Sequence, residues 1–313
     1  MSTAGDLEQL RQRAFAIAYR MLGSVGDAED VAQEALLRLH ATSERIDSPA
    51  AFVSTVATRL AIDELRSARV RRETYVGEWL PEPLPTAAAA DRPAGADPFP
   101  EPGKHAELSD SLSLAFLVLL ERLTPEQRAA LLLHDVFDYS HEEVAEIIGK
   151  SPSASRQLAS RARRQVEEER PRFSSSDERR RELADRFFDA IEEGELGGLE
   201  ALLADDVVLR GDGGGKVPAL ARPLQGRARA AKALRNWAKV AKRLPPFVLE
   251  RVEINGQPGA IGRLADGRVL NAFIIESDGE RITEINSVVN PDKLDHLGEV
   301  ADYASMLRET RGR

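Results

Sequence analysis

The amino-acid sequence predicts a multidomain protein in which two all-α domains are followed by an α+β domain. Helical spacing of apolar residues, with capping residues and glycine stops between segments, extends to Arg172. A proline-rich acidic stretch interrupts this helical part. Beyond Arg172, strand-like runs are separated by Asn-Gly and Asp-Gly dipeptides, which favour tight hairpin turns. We therefore expect five segments: 1–73, 74–111, 112–172, 173–294 and 295–313.

Composition narrows the function classes. The chain has 313 residues, 42% apolar and 30% charged, as is typical of a globular protein. It contains no cysteine, which excludes disulfides, thiolate metal sites and a cysteine nucleophile. Its five histidines lack metal-ligand spacing, so we expect no metal and no other cofactor. No apolar run matches a bilayer and no signal peptide is recognisable, which predicts a cytoplasmic protein without a membrane partner.

Residues 1–73 are expected to form three helices. The first ends at Gly23, and the second begins at Asp27, whose carboxylate is suited to an N-cap. The third begins at Ser48 and Pro49, an N-cap followed by a first-turn proline.

Two of these predicted helices carry charged surfaces. The acidic start of the second is a candidate docking face for a basic partner, and comprises Asp27, Glu29, Asp30, Gln33 and Glu34. The end of the third is basic and is a candidate nucleic-acid surface, comprising Arg59, Asp63, Arg66, Arg69, Arg71 and Arg72.

The segment 74–111 is predicted to be an extended linker. It holds most of the chain's net charge of −9, and its seven prolines between Pro81 and Pro102 oppose helix formation. Two interpretations of its charge stay open: a solvated spacer, or a segment that occupies a positively charged nucleic-acid channel. Trp79 and Leu80 are apolar within this polar stretch and require a pocket.

Residues 112–172 are expected to contain a helix-turn-helix. Leu112–Leu123 is predicted to be one helix, and Thr124 and Ser140 each begin another with capping-box spacing. Gly149 turns the chain before the last helix, which carries five basic and no acidic residues between Lys150 and Arg164. Basic and hydroxyl side chains on a second helix suit phosphate and base contacts. The candidates are Ser151, Ser153, Ser155, Arg156, Gln157, Arg161, Arg163 and Arg164.

Residues 173–294 are predicted to form the α+β domain. An amphipathic helix begins near Asp177, and a shorter one lies around Leu199–Leu203. An antiparallel meander is expected over 247–254, 260–264, 268–276 and 281–289. Apolar spacing from Leu294 onward predicts a C-terminal tail helix over 295–313.

The helical part resembles bacterial sigma factors of the extracytoplasmic-function (ECF) type. Residues 27–34, DAEDVAQE, resemble the core-polymerase-binding motif, and residues 52–66 resemble the helix that reads the minus-ten promoter element. Residues 123–166 resemble sigma domain 4, which reads the minus-thirty-five element. The resemblance implies a non-enzymatic specificity subunit whose partners are promoter DNA and the beta-prime clamp and beta flap of RNA polymerase.

Three further motifs resemble a subgroup, the SigJ-like factors, that carries a fused SnoaL-like domain with a cystatin-like cone fold. They are YVGEWLPEP at 75–83, DGGGK at 212–216 and NPDKL at 290–294. The resemblance implies that the C-terminal domain regulates the factor in cis, with the linker docked near both loops. We expect Lys216 to pair with Glu82 or with an acidic residue of the first domain. The predicted interdomain residues are Trp79, Leu80, Pro81, Glu82, Pro83, Asp212, Gly213, Gly214, Gly215, Lys216, Asn290, Pro291, Asp292, Lys293 and Leu294.

Three alternatives remain open at this point. A one-component regulator would use the helix-turn-helix alone and would bind its promoter without polymerase. A C-terminal enzyme would need a base and a residue that orients it, and no such pair is visible. A small-molecule ligand in the C-terminal domain is compatible with the cone fold.

Overall fold

The computed structural model describes residues 4–43, 45–73, 75–86, 111–167, 176–193 and 196–311. The chain divides into two compact units. Unit 1 comprises Met1–Thr74 and Ala88–Arg170, and unit 2 comprises Tyr75–Ala87 and Pro171–Arg313. The start of the predicted linker therefore belongs to the C-terminal unit, because it packs there. We call Tyr75–Thr86 the strap. Most of the remaining predicted linker, 87–110, lies outside the described residues.

The N-terminal part of unit 1 consists of three helices. They are α1 (Ala4–Leu22), α2 (Val25–Ala41) and α3 (Pro49–Glu73). The α2 helix begins earlier than predicted because Ser24, rather than Asp27, is its N-cap: the Ser24 hydroxyl accepts a hydrogen bond of 3.2 Å from the Asp27 amide. Gly23 makes the preceding turn with φ 68°. Fully buried Tyr19, Ile17 and Met21 form part of the core.

The second part of unit 1 contains the expected helix-turn-helix. Its elements are α4 (Leu114–Leu120), α5 (Pro125–Leu131), a π-helical turn (Leu132–Val136), α6 (His141–Ile148) and α7 (Pro152–Glu167). The α4 helix is shorter than predicted. Both predicted capping boxes are present, at Thr124 and at Ser140. Gly149 ends α6 in the left-handed conformation with φ 66°, which aims α7 away from α6.

The buried Arg128 joins the two parts of unit 1. Its guanidinium donates to the backbone carbonyls of Met21 (2.5 Å) and Leu120 (2.6 Å), and to the Glu121 carboxylate (2.9 Å). The side chain is only 3% exposed. A guanidinium taken out of water requires partners, and Nη1 and Nη2 find theirs on both parts of unit 1, so the end of α1 is tied to α4 and α5.

Unit 2 has helices packed on a six-stranded mixed sheet. The helices are α8 (Asp177–Glu193), α9 (Leu196–Leu202), α10 (Arg227–Ala241) and α11 (Tyr303–Arg311). The strands are β1 (Leu203–Asp212), β2 (Leu224–Gln225), β3 (Phe247–Ile254), β4 (Gln257–Leu264), β5 (Val269–Ser277) and β6 (Ile282–Val288). The strand order is β2-β1-β6-β5-β4-β3.

The antiparallel meander from β3 to β6 is confirmed, and so is the α+β class. The sequence did not predict β1, which pairs parallel with β6, or helix α10. The helices α8, α9 and α10 supply Phe187, Leu199 and Leu234 to one core together with the sheet residues Leu209 and Ile285. One face of the sheet is thus covered by helices.

The predicted tail helix is wrong over its first part. Short 3-10 turns occupy Pro291–Lys293 and Asp295–Leu297, and Gly298 turns the chain with φ 130°. The backbone then pairs with Val269, whose amide donates to Glu299 and whose carbonyl accepts from Ala301. These local bonds keep the chain extended, so α11 is the only part of 295–311 that is α-helical.

We expect replacement of Arg128 by Met to lower the free energy of unfolding of unit 1 by about 3–5 kcal/mol, because the Glu121 carboxylate and two carbonyls lose their donor. Urea unfolding followed by far-ultraviolet circular dichroism measures the change. Arg161→Met is the control, since Arg161 is exposed on α7. A loss for Arg128→Met no larger than that of the control would contradict the role of this guanidinium.

Candidate functional sites

The α7 helix presents most of the predicted promoter-contacting residues to solvent. Ser151 is its N-cap, and the Ser151 hydroxyl accepts from the Ala154 amide at 3.2 Å. The exposed candidates are Ser151, Ser153, Arg156, Gln157, Arg161 and Arg164. The buried side of α7 carries Ala159, Ala162 and Val166. The helix is therefore amphipathic, with a basic and polar outer face suited to a DNA groove.

Two of the α7 candidates need correction. Ser155 is fully buried and lies on the core side of the helix, so its hydroxyl is not available to DNA. Arg163 is half-buried and pairs with Asp135 through two hydrogen bonds of 2.9 and 2.5 Å. The Asp135 side chain raises the pKa of Arg163, and this bidentate geometry holds the guanidinium against the π-helical turn.

Two predicted minus-ten residues of α3 contact the helix-turn-helix part of unit 1. Arg59 donates to the carbonyls of Ile147 (2.9 Å) and Glu146 (3.0 Å), at the C-terminal end of α6. A cation there satisfies carbonyls that have no helical partner. Arg66 donates to Glu126 at 2.7 Å, and its other partner is Asp63 at 3.1 Å. Both guanidinium groups are thus occupied within unit 1.

The Arg66–Glu126 pair shifts the pKa of both groups. The hydrogen bond from Arg66 lowers the pKa of Glu126, and Glu126 raises the pKa of Arg66. Because Arg66 is more than half exposed, the pair contributes little to stability. It is a contact that a competing phosphate can replace. Arg69, Arg71 and Arg72 lie on α3, and their side chains are outside the described residues.

The acidic face of α2 contains an apolar residue that the sequence analysis missed. Glu29, Asp30 and Gln33 are exposed, while Asp27 and Glu34 are half-buried. Leu37 follows one helical turn after Gln33 and is 56% exposed, which is unusual for a large apolar side chain. The same stripe thus combines carboxylates with an apolar anchor, a pattern typical of protein interfaces.

In unit 2, the strap is held by the buried carboxylate of Asp212 at the end of β1. Asp212 is fully buried and accepts from the Leu80 amide (2.9 Å), the Tyr75 hydroxyl (2.5 Å) and the Gly214 amide (3.0 Å). Lys293 completes the set, with its ammonium 2.7 Å from the carboxylate. An ion pair taken out of water is retained only with such additional donors.

Lys293 also contacts the strap directly. Its ammonium donates to the Leu80 carbonyl, and it lies 4.2 Å from the centre of the Trp79 ring and 5.0 Å from that of Tyr75. These are cation–π distances, and Trp is the best ring for such a contact. Burial, followed by the hydrogen bond to Asp212, raises the pKa of Tyr75, so its hydroxyl stays protonated and donating. Leu80 is fully buried, as the sequence predicted.

The glycines of the 212–216 loop are required by close packing. A Cβ at Gly213 would lie 2.0 Å from the Val217 carbonyl oxygen, and one at Gly214 would lie 2.3 Å from the Asn290 side-chain nitrogen. Asn290 in turn donates to the Tyr75 hydroxyl at 2.8 Å. The 212–216 and 290–294 segments therefore meet at the strap.

The expected pairing of Lys216 with Glu82 is wrong. The Lys216 ammonium pairs with Asp292 at 2.6 Å, because both side chains project from the two loops that meet at the strap. That pair is exposed, with 54% and 60% of the two side chains accessible, so it is a surface contact. Lys293, which follows Asp292 in the 290–294 motif, forms the buried ion pair with Asp212 instead.

The rest of the strap crosses the sheet to the β3–β4 turn. Glu78 pairs with Arg210 of β1 at 2.5 Å. The Pro83 carbonyl lies 2.7 Å from the His296 ring, and Pro81 and Pro83 are both buried. The Leu84 amide and carbonyl both bond to Asn255, and the Thr86 amide donates to the Glu253 carbonyl at 2.8 Å. The strap end thus pairs with the sheet's edge strand, β3.

Two protein-family models match the helical part of the chain. Sigma-70 region 2 matches residues 7–71, and Sigma-70 region 4 matches residues 113–166. The ECF RNA polymerase sigma factor SigJ of Mycobacterium tuberculosis (strain ATCC 25618 / H37Rv) is 37% identical over 300 residues, which cover 92% of each chain. The chain belongs to the ECF RNA polymerase sigma factors.

The likeness of this ECF sigma factor to SigJ includes the C-terminal domain. The crystal structure of M. tuberculosis SigJ superposes with a TM-score of 0.71 and 34% identity, covering 94% of this chain and 98% of that one. A probable ECF sigma factor, SigI of M. tuberculosis (strain ATCC 25618 / H37Rv), is 31% identical over 282 residues, 90% of this chain and 91% of SigI.

Membership of the family defines the activity. The ECF sigma factor is a specificity subunit of RNA polymerase rather than an enzyme, and it directs transcription initiation at promoters. It binds the polymerase core and promoter DNA. The one-component regulator is not favoured, because residues 7–71 match Sigma-70 region 2. Among the described residues, no helix is long and apolar enough to cross a bilayer.

We expect Asp212→Asn to release the strap, because the change leaves the Lys293 ammonium buried without a carboxylate. Trp79 and Trp237 are the chain's two tryptophans, so Trp237→Phe makes Trp79 the sole reporter. In that background, Asp212→Asn should shift Trp79 emission to the red and increase its quenching by acrylamide.

Asp292→Asn is the matched control, because it removes only the exposed pair with Lys216. Its spectrum should equal that of the parent. Equal spectra for all three proteins would contradict the assignment of Asp212 as the group that holds the strap.

Proposed function

We propose that the C-terminal domain regulates this sigma factor in cis by holding the strap, and that polymerase binding releases it. The observation that carries the proposal is the buried Asp212–Lys293 pair, whose partners Tyr75, Trp79 and Leu80 directly follow the last helix of region 2. The strap lies between regions 2 and 4 in the sequence, so its docking limits the distance that can separate these two regions.

The length of the strap supports this mechanism. Twelve residues in extended conformation span up to about 40 Å, and their docking removes that length from the tether between the two DNA-binding regions. A sigma factor that contacts both promoter elements at once gains affinity only when the tether permits both contacts. Holding the strap therefore lowers the effective concentration of region 4 at its element.

Contacts within unit 1 also support inhibition of promoter binding in the free protein. Arg59 and Arg66, both predicted minus-ten contacts, are bonded to α6 and to Glu126. These donors must leave their protein partners before they can bind DNA. We propose that binding of core polymerase supplies the free energy for this separation, and that the free protein binds promoters weakly.

We further propose which polymerase surfaces bind. The acidic stripe of α2 with Leu37 is assigned to the beta-prime clamp, and region 4 to the beta flap, as the family resemblance implies. Carboxylates around an apolar anchor support a docking site for a basic, partly apolar surface. A small-molecule ligand for the C-terminal domain stays a prediction.

Runoff transcription with purified core polymerase tests the regulatory proposal. We expect Asp212→Asn to raise the rate of productive initiation severalfold at limiting core, since release of the strap removes a restraint on promoter engagement. Chains ending at Arg172 and Leu294 separate the contribution of the domain from that of the tail. A rate for Asp212→Asn equal to that of Asp292→Asn would count against regulation through the strap.

We expect Leu37→Ser to weaken core binding by about tenfold, as loss of a buried apolar anchor costs on the order of 1–3 kcal/mol. Competition with a labelled wild-type sigma factor for core measures it. Val248→Ser is the control, because Val248 is similarly exposed (63%) but lies on the C-terminal domain. Equal affinity of the two variants would refute the anchor role of Leu37.

A further inference from the structure

The C-terminal domain carries a concentration of positive charge, only part of which is paired within the described residues. Between Gly213 and Leu249 there are nine lysines and arginines and no acidic residue, although the whole chain has a net charge of −9. Most of these cations lie on α10 or directly after it. The electrostatic potential around this segment is therefore positive, although the net charge of the chain is negative.

The cations form a stripe along one face of α10. Ala230, Ala231, Leu234 and Ala238 form the buried face of this helix. Arg229, Lys232, Asn236, Lys239 and Arg243, which we call the α10 stripe, are all exposed. Their spacing of three or four residues places the first four on one side of the helix, over a length of about 15 Å, and Arg243 lies in the turn that follows the helix end at Ala241.

The α10 stripe has no acidic partners within the described residues. Other basic side chains of the helix do: Arg227 pairs with Asp205 at 2.9 Å, and Arg235 pairs with Glu200 at 3.4 Å. These two flank the buried face and tie α10 to β1 and α9. The stripe cations are exposed and have no such partner among the described residues, so they stay available to an external anion.

The stability of the domain does not explain the cations at the start of α10. Arg229 lies in the first turn of α10, where the helix dipole disfavours positive charge, and this helix has no acidic residue in that turn. Lys232 and Arg229 are three residues apart, as are Lys239 and Lys242, and like charges at this spacing repel. Arg229 and Lys232 therefore gain no stability from their positions, whereas Lys239, in the last turn, is favoured by the dipole.

We propose that the α10 stripe binds the phosphate backbone of double-stranded promoter DNA, as a third DNA contact besides regions 2 and 4. Duplex DNA presents a dense, regular line of negative charge, which matches a row of cations about 15 Å long on the helix with one more directly after it. The stripe offers one amide, Asn236, and otherwise only charged groups, so the contact reads no sequence. It adds affinity and depends strongly on salt.

The test uses the full-length protein and a thirty-base-pair duplex without promoter elements, with fluorescence anisotropy measured over a salt series. The stripe variant is R229Q/K232Q/K239Q/R243Q. The control R179Q/R186Q/R281Q/R308Q removes the same charge from the same domain. Each lost phosphate contact lowers the salt slope by about 0.9, so the stripe variant, which lacks four cations, should lose about 3.6 units of slope and bind at least about tenfold more weakly.

Two further measurements distinguish the outcomes. The stripe variant should unfold at the same or a higher temperature than wild type, because repulsion is relieved; a loss of DNA binding accompanied by unfolding would not support the proposal. A photocrosslinking amino acid at Asn236 should crosslink to promoter DNA in the polymerase complex, and one at Val248 should not.

The proposal is overturned if both variants lose DNA affinity equally, since the effect would then be net charge. It is also overturned if neither variant loses affinity. If the stripe variant binds DNA normally but binds core polymerase more weakly than the control, the stripe is a protein interface and the assignment to DNA is wrong.

Discussion

The strap depends on one buried ion pair. Asp212 and Lys293 lie in the interior of the C-terminal unit, where the loss of hydration makes an isolated charge very unfavourable. Each charge is balanced by the other and by donors or acceptors of the strap itself: the Leu80 amide and carbonyl, and the Tyr75 hydroxyl. The pair and the strap therefore require each other. Release of the strap would return both charges to water, where hydration replaces the donors and acceptors that the strap supplies.

Arginine side chains join elements of unit 1 that are distant in the sequence. In unit 1, Arg13 bonds to Ser54 and Tyr139, Arg20 bonds to Ser111, and Arg128 bonds to Met21 and Leu120. A planar guanidinium with five donors can satisfy several acceptors at once, which suits contacts between regions 2 and 4. Arg59 and Arg66 use the same chemistry at the surface. A guanidinium also binds phosphate, so in the proposed function promoter DNA would compete with the protein partners of Arg59 and Arg66 for the same donors.

Net charge is a poor guide to the partners of this protein. The value of −9 conceals an acidic α2 face, a basic α7 and a basic α10, each on a different element. Long-range fields decay over roughly 8–10 Å in physiological salt, so each surface acts on the partner that it meets. An acidic surface for polymerase and basic surfaces for DNA can therefore coexist on one chain.

Local patterns in the sequence determined the helix starts at Thr124 and Ser140, the Gly149 turn and the meander from β3 to β6, because caps, turns and apolar periodicity act over a few residues. The motifs at 75–83, 212–216 and 290–294 also identified the strap site. Only the tertiary structure decided that Lys293 rather than Lys216 is the buried cation, that Ser155 faces the core, and that α10 covers the sheet. Lys293 and Asp212 are 81 residues apart, and Leu80 and Asp212 are 132 apart. Whether Lys216 or Lys293 is buried depends on packing between residues that are far apart in the sequence. Short-range sequence patterns carry no information about such packing.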